Sequence, residues 1–147
     1  MKKVTMYTDG ACSKNPGPGG WGAVLIYGGA IKRISGFSAE TTNNIMELTA
    51  FIEAMKLLKE KCEVDLYTDS KYLIDSATVW LNNWKKNGWK TSARKDVKNI
   101  PQWKEISDMI SFHKVNFFWV KGHDGDLYNE ECDSLARNEI LKNQKPE

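Results

Sequence analysis

Between residues 44 and 58 the apolar side chains Leu48, Phe51, Ile52, Met55 and Leu58 recur at helical spacing. That period predicts an amphipathic helix. Ahead of it the pattern is that of strands. Residues 3–12 read as a strand ending in Asp9-Gly10, and residues 13–20 as a Gly/Pro-rich loop. Residues 21–27 and 30–38 are two further strands joined by a Gly28-Gly29 hairpin turn. After the helix, residues 63–68 form a short strand that ends at Asp69, and residues 70–77 open a second helix. Residues 80–98 read as short helix, turn and basic loop, and Pro101 suits the first turn of a helix running to about residue 110. Residues 115–120 predict a buried strand, residues 122–129 a loop, and residues 130–141 a last helix with Cys132, Leu135, Ala136 and Ile140 on one side. The order βββαβα(αα)βα implies an α/β fold: a mixed five-stranded sheet, three antiparallel strands followed by parallel ones, covered by helices.

Length and composition narrow the class. The chain has 147 residues, which fits one domain over residues 1–142 followed by a polar tail, 143–147. With 41% hydrophobic and 27% charged residues it is neither a disordered chain nor a membrane protein. No apolar run reaches the roughly 18 residues of a membrane span. The N-terminus meets Asp9 before a signal-peptide core forms. Cys12, Cys62 and Cys132 are odd in number and widely spaced, which suits a reducing, cytoplasmic setting rather than a disulfide framework or zinc site.

The net charge of +2 conceals an uneven distribution. Residues 80–104 carry seven bases against Asp96 alone, a local +6, while the remainder sums to −4. The same stretch holds Trp80, Trp84, Trp89 and Trp103, four of the six tryptophans. Lysines that meet phosphates, interleaved with rings that meet sugars or bases, suit a nucleic acid. The plainer alternative is a solvated helix whose tryptophans fill the core.

Four carboxylates stand at the ends of elements: Asp9, Glu47, Asp69 and Asp133. Strands joined by a crossover helix are commonly parallel neighbours, so Asp9 and Asp69 share one edge of the sheet. Each acid also has a local reading. Asp9-Gly10 is a turn, Asn44 and Glu47 a capping box, Asp69-Ser70 a helix cap, and Asp133 half of an i,i+4 pair with Arg137. If all four converge, their repulsion requires a counter-charge, and hard oxygen ligands suit Mg²⁺ or Mn²⁺ rather than zinc. Beside a nucleic-acid surface, such a cluster points to two-metal phosphodiester cleavage.

Six blocks extend the picture. They are Tyr7-Thr8-Asp9-Gly10-Ala11-Cys12 with Asn15-Pro16-Gly17-Pro18-Gly19-Gly20-Trp21-Gly22; Thr41-Thr42-Asn43-Asn44-Ile45-Met46-Glu47-Leu48; Tyr67-Thr68-Asp69-Ser70; Trp84-Lys85-Lys86-Asn87-Gly88-Trp89-Lys90-Thr91; Val120-Lys121-Gly122-His123; and Asn129-Glu130-Glu131-Cys132-Asp133-Ser134-Leu135-Ala136. Together, and in this order over nearly the whole chain, they resemble type 1 ribonuclease H in its compact bacterial form, without an extra hybrid-binding domain at the N-terminus. The resemblance implies endonucleolytic hydrolysis of the RNA strand of an RNA–DNA hybrid, leaving 5′-phosphate and 3′-hydroxyl ends with little sequence preference. It implies a monomer whose cofactor is two Mg²⁺ ions, with Mn²⁺ as a substitute, held by Asp9, Glu47, Asp69 and Asp133. It gives His123 a part in proton transfer or product release. Cys12, Asn15, Asn43 and Asn44 join Glu47 in recognising the RNA strand through its 2′-hydroxyls. Thr42 and Asn99 match a pocket for a phosphate of the DNA strand, and Trp80 an aromatic that meets deoxyribose. Residues 80–98 match a basic protrusion that contributes Trp84, Lys85 and Lys86.

The sequence departs from that pattern at Ile45, where a basic residue is common, and at Lys71, where an amide is common. Asp124 and Asp126 make the histidine loop unusually acidic. They repel substrate, attract a further cation or raise the His123 pKa. Three other readings stand beside the main one: another nuclease or strand-transfer enzyme of the same fold, a binding module with a decayed site, and a protein-interaction domain built on the tryptophans.

Overall fold

The computed structural model describes residues 1–121 and 126–144. Five strands, β1 (Lys2–Cys12), β2 (Gly17–Tyr27), β3 (Ala30–Thr41), β4 (Cys62–Thr68) and β5 (Lys114–Trp119), form one sheet in the order β3-β2-β1-β4-β5. β1 pairs antiparallel with β2, and β2 with β3, while β4 lies parallel to both β1 and β5. The mixed sheet therefore has the predicted composition.

Strand alternation gives the two faces different coverings. Val4, Met6, Ala23 and Leu25 face the main core, with Leu48, Phe51 and Ile52 of α1 (Asn43–Met55) and with Trp103 and Ile106 of α4 (Ile100–Phe112). The opposite face receives α5 (Leu127–Lys142) on β1, β2 and β3. Its backbone sits so close to β2 that a Cβ on Gly20 would stand 2.2 Å from the Ala136 carbonyl oxygen, and one on Gly22 2.7 Å from that of Cys132. This explains one correction. Residues 17–20, read as loop, are the start of β2: Gly20 lets α5 pack against the strand, while Gly19 lies against Thr41, Ala11 and Met46. Its partner β3 correspondingly reaches Thr41.

Other boundaries moved for local reasons. Thr42 accepts from the Ile45 N–H and caps α1, so the helix starts at Asn43 and ends at Met55, earlier than residue 58. Ser70 caps α2 (Lys71–Asp75), which runs on through a π-helical turn (Ser76–Trp80) into α3 (Leu81–Lys86). What read as two separate pieces is one continuous helical arm. Asp126 accepts from the Tyr128 and Asn129 N–H groups and starts α5 at Leu127, three residues early. β5 was expected to be buried, yet Phe118 and Trp119 are 42% and 49% exposed. Among the described residues it is an edge strand of the sheet. Its aromatic run stacks sideways instead, Tyr7 on Tyr67 at 4.9 Å and Tyr67 on Phe118 at 5.0 Å. No helix among the described residues is long and apolar enough to cross a membrane.

Candidate active site

The parallel pairing of β1 with β4 carries Asp9 and Asp69 to the same edge of the sheet. The chain crosses from β3 to β4 through α1, which brings Glu47 to the same place. Glu47 is the fifth residue of α1, one turn inside it, so it is not the capping residue a capping box would require. Gly10 makes the approach possible: a Cβ there would lie 2.5 Å from the Glu47 backbone nitrogen. One carboxylate oxygen each from Asp9, Glu47 and Asp69 lie within 4.8 Å of one another. Asp133, on α5, lines the same cleft of about 740 Å³, together with Cys12, Asn43 and Asn44. Of the predicted site residues, seven thus meet in one cleft, drawn from β1, α1, the end of β4 and α5.

Burial sets the electrostatics. Asp9 and Glu47 are 3% and 5% exposed. Burial, then the charges of Asp69 and Asp133, pushes Asp9 up to about 8, although Gly10 donates its N–H to Asp9 Oδ1 at 2.9 Å. Burial and the neighbouring Asp9 hold Glu47 well above the usual carboxylate range. Glu47 Oε2 is buried without a hydrogen-bond partner among the described residues. Both oxygens of Asp133 accept from Arg137 Nε at 3.0 Å, so the predicted i,i+4 pair exists and also orients a cleft-lining acid. Hard oxygen donors gathered around two buried carboxylates, which burial and neighbouring charge push toward their protonated forms, with one oxygen unsatisfied, fit a divalent cation. Cys132 lies nearby, but burial holds its thiol protonated, which does not make it a ligand.

Around this centre the remaining predicted residues have distinct places. Cys12 turns its Sγ toward the carbonyls of Lys14, Gly17 and Thr41. Asn15 Oδ1 accepts from the Asn43 N–H at 3.1 Å and ties the loop to the start of α1. Thr42 caps that helix. Asn99 is the left-handed residue (φ 62°) that precedes α4, and its Nδ2 donates to Tyr72 Oη. None of Asn15, Thr42, Asn99, Trp80, Trp84, Lys85 and Lys86 lines the acidic cleft. Trp80 is half exposed, and Lys85 and Lys86 are exposed in the last turn of α3. Trp84 leans edge-on against the fully buried Trp103 at 5.7 Å. The tryptophans thus divide between the two readings, with Trp103 in the core and Trp80 at the surface. Asp96, the only acid of the basic stretch, pairs with Lys90. His123 and Asp124 lie outside the described residues.

Sequence reasoning missed Ser70, Lys71 and Tyr72 as cleft residues, and it saw Arg137 only as an ion-pair partner. The spacing from Asp133 to Arg137 signalled the latter, whereas nothing local marks Tyr72.

The RNase H family model matches residues 1–141. The ribonuclease H of Acetivibrio thermocellus is 57% identical over 146 residues, 99% of each chain. Among solved structures, LC9-RNase H1, a type 1 RNase H with the type 2 active-site motif, aligns with a TM-score of 0.85 at 31% identity, over 97% of this chain and 74% of that one. A foamy viral protease-reverse transcriptase in complex with RNA/DNA hybrid shares the fold, with a TM-score of 0.82 at 24% identity over 96% of this chain and 20% of that one.

Proposed function

This chain belongs to the ribonuclease H family of hydrolytic nucleases, and from that premise we propose how its own residues cleave the RNA strand of an RNA–DNA hybrid. The observation that carries the reading is the convergence of Asp9, Glu47 and Asp69 within 4.8 Å, in a cleft that Asp133 also lines. Asp9, Glu47, Asp69 and Asp133 would hold two Mg²⁺ ions, for which Mn²⁺ would substitute, and such a pair would supply a lowered pKa for the attacking water and counter-charge for the leaving 3′-oxygen.

The protein's part is positioning. Asp9 sits at the centre of the set, its carboxylate fixed by the Gly10 N–H. Arg137 holds both oxygens of Asp133 toward the cleft. Asn43 and Asn44, at the first turn of α1, and Cys12, at the end of β1, border the same cleft, where an RNA strand offers its 2′-hydroxyls. Thr42 and Asn99 each precede a helix, whose positive N-terminal end favours a phosphate of the DNA strand. Trp80, Trp84, Lys85 and Lys86 extend the grip along the continuous helical arm, with Lys85 and Lys86 serving phosphates. His123 completes the proton transfers or releases product. The chain acts as a cytoplasmic monomer, as one domain over residues 1–142 with a polar tail, of which residues 145–147 lie outside the described residues.

The test uses RNA–DNA hybrid, duplex RNA and duplex DNA, each with Mg²⁺ and with EDTA, with Asp69→Asn run in parallel. The expected result is Mg²⁺-dependent cutting of the RNA strand of the hybrid alone, lost in Asp69→Asn. Cutting in EDTA, or equal cutting of duplex DNA, refutes the reading. Binding without cutting restores the binding-module alternative.

A further inference from the structure

One side chain joins the aromatic packing beneath the basic arm to the acidic cleft. Tyr72 lies three residues after Asp69 and lines the cleft. Its Oη accepts two hydrogen bonds, from Trp103 Nε1 at 3.0 Å and from Asn99 Nδ2 at 3.0 Å. Trp103 is fully buried and meets the Tyr72 ring edge-on at 5.8 Å on one side and Trp84 of α3 on the other. The phenol oxygen is therefore held by a core residue that does not move independently of the arm. Asn99 stands in the left-handed region (φ 62°, ψ 38°) as the residue preceding α4, and its side chain makes no capping bond to that helix. The amide is committed to Tyr72 instead.

We propose that Tyr72 is a positioning residue for the DNA strand, its hydroxyl fixing the Asn99 amide in the orientation that offers an N–H to a backbone phosphate. The proposal rests on the reading of Asn99 as a phosphate contact. An amide nitrogen carries two hydrogens, while its oxygen only accepts. Phosphate oxygens also only accept, so a flipped Asn99 would turn oxygen toward oxygen. The indole N–H of Trp103 can only donate, and it holds Tyr72 Oη as an acceptor. The structure sets the nitrogen end of Asn99 against that oxygen, and with one N–H bonded to Tyr72 the direction of the second is set. Because these bonds exist before substrate arrives, ordering the amide adds nothing to the cost of binding. Tyr72 thus couples a group outside the acidic cleft to the residues that border it, keeping the DNA-strand contact in register with the carboxylates.

The experiment is steady-state cleavage of an RNA–DNA hybrid by the intact chain and by Tyr72→Phe, Asn99→Ala, the double variant and Trp103→Phe. Asn99→Ala should raise KM about tenfold, and Tyr72→Phe about fivefold, the worth of one or two hydrogen bonds. In Tyr72→Phe kcat should stay within about twofold, because the hydroxyl acts on binding and not on the reacting atoms. The double variant should be no worse than Asn99→Ala, since Tyr72 works through Asn99. Trp103→Phe, which removes the bond that holds Tyr72 Oη, should lower the melting temperature and raise KM by no more than Tyr72→Phe does. An unchanged KM in Tyr72→Phe alongside a raised one in Asn99→Ala overturns the proposal and spares the Asn99 reading. Additive effects in the double variant, a KM rise in Trp103→Phe larger than that of Tyr72→Phe, or a fall in kcat alone also overturn it. No effect of Asn99→Ala overturns the phosphate reading, and the proposal with it.

Discussion

Asp9→Asn should make the metal-free protein more stable while abolishing cleavage. Asp9 is buried against Glu47 and within reach of Asp69 and Asp133, and its pKa rises from 3.8 to about 8. A group whose folded pKa is raised binds more protons in the folded state, so its contribution to stability is complete below pH 3.8 and is lost as pH rises toward 8. Each pH unit in that window costs about 1.4 kcal/mol. At pH 7 that gives an upper figure of about 4 kcal/mol. The asparagine amide keeps its own desolvation cost, which leaves a gain of about 2 kcal/mol. Urea denaturation in EDTA at pH 5, 7 and 8.5 measures it: the advantage of Asp9→Asn over the parent should grow across that range. If Asp9 is a ligand as proposed, Mg²⁺ should then stabilise the parent far more than the variant. A pH-independent difference, or equal Mg²⁺ stabilisation of both proteins, would refute the reasoning that burying Asp9 among neighbouring carboxylates costs the fold stability.

Further expectations follow from particular contacts. Gly22→Ala places a methyl 2.7 Å from the Cys132 carbonyl oxygen. It should cost about 1–3 kcal/mol in thermal unfolding and lower kcat by shifting Asp133 with α5; an unaltered kcat would show that the helix does not transmit the displacement. Asp126→Ala removes the two N–H bonds that start α5, and should cost about 1 kcal/mol of stability with an unchanged Mg²⁺ dependence of cleavage. A shifted metal profile would return Asp126 to the cation-attracting role its sequence suggested. Buried His113 accepts the Cys62 N–H through Nδ1, and burial, helped by Lys61, lowers its pKa below 6.5. Stability should therefore be complete above pH 6.5 and fall as acid forces a proton onto that acceptor, and His113→Asn should flatten this limb of a pH–urea series.

Much of the site was legible because its chemistry is local to element ends. Asp9 stands just past the last β1–β4 pair, Tyr7 with Tyr67, Asp69 follows β4, and strands on either side of a crossover helix are commonly parallel, so their convergence rests on topology. Glu47 was harder. Its spacing from Asn44 matched a capping box, and the structure places the cap at Thr42 instead, which leaves Glu47 turned into the cleft. Asp126, read in the sequence only as a charge, is also the cap of α5. Where a residue's role depends on which N–H it meets, identity and spacing leave two answers open.

Periodicity, the order of elements, the uneven charge and the four acids belong to the sequence alone, since each rests on neighbours along the chain. The start of β2 at Gly17, the exposure of β5, the division of the tryptophans between core and surface and the pairing of Tyr72 with Asn99 and Trp103 belong to the tertiary structure. Each of these depends on what another element brings within a few ångströms, such as the α5 backbone against Gly20 and Gly22, or α4 against α2. The raised pKa of Asp9 is of the same kind. A carboxylate's charge is written in the sequence, but its cost depends on the water excluded and on the charges packed around it.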